Sequence, residues 1–152
     1  MHKQVLDGLK TRLETITRAN GYRNTVSLVE FSARRIDEIE VGDIPHISIV
    51  PGSERFTDGL GQVMSTWAID LVLNDTHCDD RTGAAGIEAL SDWTTDIRRA
   101  LYAIANLGVY GVYHSKILTR QGSESHPEAA EERKATMVLG IEIQFEEMID
   151  SA

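Results

Sequence analysis

The chain has 152 residues, the size of one ordinary domain. Residues 1–152 are therefore expected to fold as a single unit, long enough to close its core without disulfide or metal. Its 24 acidic against 15 basic residues leave a net charge of −9, which argues against tight nucleic-acid binding through a basic face, though not against DNA sliding past an acidic wall.

No apolar run approaches the ~20 residues of a membrane span. The start MHKQVLDGLK lacks a signal-peptide core. The single cysteine cannot form an internal bridge and suits a reducing compartment. A soluble protein with no secretion address is expected.

In chain order, residues 3–20 predict an amphipathic helix, with Leu6, Leu9, Leu13 and Ile16 on one face and Asn20-Gly21 as the stop. Residues 25–33, TVSLVEFSA, predict an extended segment. Residues 45–50, PHISIV, predict a short strand between prolines, at an edge or ending abruptly, with Ile47 and Ile49 opposite His46, Ser48 and Val50. PGSERFTDGLG, residues 51–61, predicts a glycine-rich hairpin loop. Residues 62–74 predict a long strand whose core side carries Val63, Trp67, Ile69, Leu71 and Leu73.

A second helix is predicted over about 84–106, on the stripe Ile87, Leu90, Ile97, Leu101 and Ile104. Asp80 or Thr82 would cap it, and Asn106 and Gly108 would end it. Residues 109–119 predict a strand, 121–132 a polar loop, and 134–148 a last strand with Met137, Leu139, Ile141, Ile143 and Phe145 opposite Glu142, Gln144 and Glu146. The order helix, three strands, helix, two strands predicts an α+β domain, a largely antiparallel sheet with two helices packed on it. With a final strand this long, about 50 Å at ~3.3 Å per residue, part of the final hairpin is expected to project past its own core and to leave edges that a sibling subunit pairs.

The stretch most like chemistry is NDTHCDDRTG, residues 74–83. Zinc wants paired ligands at short fixed spacing, and Cys78 stands alone beside His77, with His46, His114 and His126 on other elements. A cysteine nucleophile wants a lowered thiol pKa, and Asp75, Asp79 and Asp80 push the other way. No G-x-S-x-G elbow or phosphate loop is present. The segment reads as a capped connection, so no catalytic residue, cofactor or metal is assigned; an enzyme or ligand-binding domain using His77, Cys78 and Asp79 is the rival reading. Trp67 and Trp93 read as core. Phe56 beside Arg55, in a polar stretch, reads as a contact site or as a ring folded back over its loop.

A first helix ending at NGY, then DIPHISIVPGSE, a long strand, GIEALSDWTTDIRRALY, and a hairpin split by a polar insertion, LTRQGSESHPEAAEERKATMVLGIEIQF, together resemble the tail terminator (tail completion) proteins of long-tailed bacteriophages. The resemblance covers nearly the whole chain and lies in element order and diffuse patterns. It implies a virion protein, assembled in the host cytoplasm and located in the tail, that forms a ring, typically a hexamer. Such a ring caps the tail tube, stops its polymerisation and meets the head or neck, with no cofactor and no catalysis. Its implied partners are sibling copies, the major tail tube protein, and a head-tail connector or neck protein, with DNA passing through unbound. Neck and head-completion proteins are the nearest competitor. The interface candidates are Arg55, Phe56, Arg120, Glu128 and Arg133; the channel-lining candidates are Glu142 and Glu146.

Overall fold

The computed structural model describes residues 1–31, 38–75, 84–125 and 135–148. Helix α1 runs His2–Glu14 and buries Val5, Leu9 and Leu13. It stops short of the expected Asn20 because Thr15-Ile16-Thr17 is a β-branched run that loses rotamer freedom in a helix. Thr17 turns extended and caps a short 3-10 turn, Arg18–Asn20, by accepting from the Asn20 N–H. Gly21 then takes the left-handed conformation (φ 88°) that ends it, as its position predicts.

Strand β1 is Leu28–Glu30, shorter than the extended segment expected over 25–33, and pairs parallel with β2. Strand β2 runs His46–Gly59 and strand β3 Gln62–Asp75, antiparallel to each other. The expected loop over 51–61 is thus mostly strand, and only Leu60 and Gly61 separate β2 from β3. The glycine and proline are absorbed by a register shift between Pro51 and Glu54, where a bulge lets two strands stay paired. Gly52 serves that bulge: its carbonyl accepts from Trp67 Nε1 at 3.2 Å, and a Cβ on it would stand 3.0 Å from the Ala68 carbonyl oxygen.

Helix α2 spans Ala84–Tyr102, not 84–106. Ile104 is consequently exposed, off the buried stripe. The chain reverses through Leu107 (φ 56°), Gly108 and Gly111, with Asn106 Oδ1 accepting from the Gly108 N–H. Strand β4 is Val112–Ser125 and strand β5 Ala135–Met148. β4 takes in residues 121–125, which the sequence assigns to a loop.

The sheet order is β1-β2-β3-β5-β4, with only the β1–β2 pair parallel. The order helix, three strands, helix, two strands and the α+β class are as expected. The long last strand is itself flanked on both sides: β3 pairs with β5 from Gln62↔Met148 to Asp75↔Ala135, and β4 covers its other side from Val112↔Phe145 to Ser125↔Ala135, while the tip of the final hairpin, 126–134, lies outside the described residues. Its length is matched by equally long neighbours, so the unpaired backbone lies elsewhere.

Cross-strand rows such as Ile49–Leu71–Leu139 and Ile69–Ile141–Ile117 build one apolar face. Both helices pack on that face, through Val5, Leu9 and Leu13 of α1 and Leu90, Trp93, Ile97 and Leu101 of α2. The result is a two-layer domain. Trp67 and Trp93 are both core, as read from sequence.

Candidate assembly surface

Apart from the outer side of the three-residue β1, two stretches of strand have a side that no other described strand covers. One is the outer side of β4, the last strand in the sheet order. The other is β2 beyond Ser48, because β1 reaches only His46, Ile47 and Ser48. They lie on opposite margins of a four-stranded slab, β2-β3-β5-β4, in which strand direction alternates. One outward amide of β4 is already taken: Ile117 N–H donates to Tyr102 Oη at 3.3 Å.

One end of the slab is apolar and open. The β2–β3 turn exposes Leu60 completely, and Phe56 is 62% exposed. At the same end, where Gln62 pairs with Met148 and Val112 with Phe145, Tyr110 and Tyr113 are exposed. They border an open hollow of about 880 Å³, walled also by Met1, Val109 and Glu146. Phe56 shares the cross-strand row of Ser65 and Phe145, yet lies where the helices no longer cover that face. It stands free and does not fold back.

The stem of this hairpin is tied down. His2 Nε2 lies 2.7 Å and 3.0 Å from the two Glu54 carboxylate oxygens. The His2 ring also meets Trp67 and Phe145 edge-on, at 4.9 Å and 5.3 Å between centroids. These contacts join the first turn of α1 to β2, β3 and β5.

On the helix-free face, Glu142 is 17% exposed and stands between two cations, Arg55 Nη2 at 3.5 Å and Lys116 Nζ at 3.6 Å. The small Ala68, paired with Glu142 on β5, leaves room for Arg55 to reach across β3. Glu146 accepts a hydrogen bond from the Tyr113 hydroxyl. That bond, with burial and the carboxylate's charge adding to it, holds the Tyr113 phenol above its ordinary pKa. Both acids lie on the face expected of them. Asp70, exposed on the same face, was not singled out from sequence, although it alternates with the apolar residues of β3. Farther along, that face is buried around His46, whose Nε2 lies 2.7 Å from Glu30 Oε1 and whose Nδ1 is 3.3 Å from Asn74 Nδ2. Thr136 Oγ1 donates to Asn74 Oδ1 at 2.8 Å. With His46 and Asn74 fully buried, this chain of polar groups fixes strand register.

The structure thus brings Arg55 and Glu142 together and places Phe56 at the open end. Arg120 is apart from both, on β4 beside α2, where it lines a polar groove with Arg98, Ser91 and Thr95. Glu128 and Arg133 lie outside the described residues, as do His77, Cys78, Asp79 and Asp80 and the cap candidate Thr82. Among the described residues, no three His, Cys, Asp or Glu side chains are grouped to hold a metal ion, and no helix is long and apolar enough to cross a membrane. Leu60, Tyr110 and Arg98 were missed from sequence. A leucine between two glycines at 59–61 was the available signal for the first.

No family model matches the chain, and no curated protein matches it. Among solved structures, it is similar to a chain of a structure described as the virion of a native gene transfer agent particle. The identity is 12%, over 96% of this chain and 91% of that one, with a TM-score of 0.41. An overlap this loose bears on neither mechanism nor partners.

Proposed function

We propose that this chain is a structural virion protein of the tail-terminator kind, a non-catalytic subunit that assembles with copies of itself into a ring, a hexamer by the resemblance. The ring caps the tail tube, halts its polymerisation and offers its other side to a connector or neck protein. The observation that carries the reading is the pair of uncovered margins on the alternating slab. With four strands per copy, the β4 of one copy arrives antiparallel to the β2 of the next, so every copy can repeat the same contact without reversing direction. A contact between two different surfaces of one chain, repeated with a closing rotation, makes a ring.

In this arrangement the open apolar end, with Phe56, Leu60, Tyr110 and Tyr113, faces along the axis and docks on the last layer of tube subunits. Termination requires asymmetry: the other side of the ring must not repeat that surface, so that no further tube subunit adds. The helix-free face, with Asp70, Glu142 and Glu146, would border the path of DNA. Arg55 and Lys116 neutralise Glu142 there, leaving a wall that neither grips a polyanion nor strongly repels it.

The test is to add the protein to polymerising tail-tube subunits and measure tube lengths by electron microscopy. Short, uniform tubes ending in a ring support the reading. Tubes of unchanged length distribution with no ring at either end refute it.

A further inference from the structure

Among the described residues, most lysines and arginines are engaged. Lys3, Lys10, Arg23, Arg55 and Lys116 each reach a carboxylate. Arg12, Arg18 and Arg99 each donate to a backbone carbonyl. Among the described residues, Arg98 and Arg120 are the two left without a partner, and both line the same groove between α2 and β4. Ser91 and Thr95 add hydroxyls to it, Leu118 gives it an exposed apolar rim, and among the described residues no carboxylate lines it. In a chain of net charge −9, two unpaired guanidinium groups facing one groove form a site for carboxylates.

The complement is on the opposite margin. Residues 38–43 lie between β1 and β2 in the chain. Ile39 and Ile44 are buried and anchor this segment, and a 3-10 turn at Val41–Asp43 shapes it, with Asp43 N–H donating to Glu40 O at 2.9 Å. Glu38, Glu40 and Val41 are exposed, and among the described residues no cation pairs with either glutamate. Acid, apolar residue and acid are thus presented together, against a groove that presents arginine, leucine and arginine. In the sheet order, β4 and β1 are the two ends, so groove and segment cannot meet within one chain.

We propose that the Arg98–Arg120 groove of one copy takes the 38–43 segment of the next, which fixes the partner, direction and register of the ring contact. The inference rests on the assembly reading above and names the side chains that select a sibling copy. Backbone pairing along the strand margins is indifferent to sequence; charge complementarity is what rejects other partners.

The test is sedimentation velocity over a concentration series at low and high salt, with four proteins: wild type, Arg98→Glu with Arg120→Glu, Glu38→Arg with Glu40→Arg, and all four changes in one chain. All four positions are exposed, so folding is checked by circular dichroism and thermal melting. Wild type is expected to self-associate, more weakly at high salt. Each double reversal is expected to weaken association about tenfold or more. Mixing the two doubles, or combining them in one chain, is expected to restore it. Absence of self-association in the wild type, loss in only one of the doubles, or failure of both restorations would each overturn the proposal. Tube capping is scored separately. Restored association without length control keeps this contact and removes the capping role; length control unaffected by either double does the reverse.

Discussion

Single side chains already separate what holds this molecule together from what it offers to others. Trp93 is wholly buried and its indole N–H donates to Asp75 at 2.7 Å, a bond that anchors α2 to the end of β3. Trp93→Phe keeps most of the packing and removes the donor; a loss of roughly 1–3 kcal/mol is expected, read from urea unfolding. Gly140 sits where β5 passes the irregular part of β4. A Cβ there would run into Thr119 Oγ1. Gly140→Ala is therefore expected to destabilise by about 1–3 kcal/mol, and Thr119→Ala in the same chain to recover part of the loss. Tyr113 gives a spectroscopic handle. Its phenol, donating to Glu146, is held above the ordinary tyrosine pKa. A raised folded-state pKa means the interaction contributes below the unfolded value, near ~10, and is lost as pH rises through the higher folded value. Ultraviolet titration is expected to show one of the four tyrosines ionising late, and Glu146→Gln to bring it back down.

The elements divide by how much of their pairing is visible locally. The inward faces of β3 and β5 and the stripe of α2 are legible because burial alternates at the period of the structure, 2 or 3.6 residues. Residues 51–59 are not legible as strand. They are mostly exposed, so no alternation marks them, and Pro51, Gly52 and Gly59 signal a turn. What makes them strand is the β3 ladder, from Glu54↔Trp67 to Gly59↔Gln62, which a local reading does not contain. The same holds for 121–125, a polar stretch carried into β4 by β5. The candidate site shared this limit. Arg55 and Phe56 were found because an aromatic beside an arginine stands out in a polar run, whereas the Arg98–Arg120 groove joins residues 22 positions apart by number (120 − 98) that only tertiary structure unites. Between the elements, Asp96 is the fastener to test. Its buried carboxylate accepts from Arg23 N, Asn24 N and Asn24 Nδ2 at 3.1, 2.8 and 2.9 Å, pinning the segment before β1 to α2. Asp96→Ala strands those donors and is expected to cost on the order of 3 kcal/mol, with faster amide exchange at Arg23 and Asn24.

At the scale of the whole molecule, one end is apolar and open while, among the described residues, Arg98 and Arg120 stand beside β4 at one margin and Glu38 and Glu40 near β1 at the other. Leu60→Asp and Phe56→Ala touch only the open end. Each is expected to change unfolding free energy by less than about 0.5 kcal/mol while abolishing tube-length control in the polymerisation assay. A large stability loss in either would mean that the turn belongs to the core. The central place of β5 has a further bearing, on biosynthesis. A ribosome makes β2, β3 and β4 before residues 135–148, and β3 and β4 are not neighbours in the sheet: β5 lies between them. Until that ribbon threads between them, the β1-β2-β3 part of the sheet and the single strand β4 wait with their seams bare. Nascent chains halted before residue 135 should therefore recruit chaperones and resist folding, and the domain should snap shut only once its middle, delivered last, is in place.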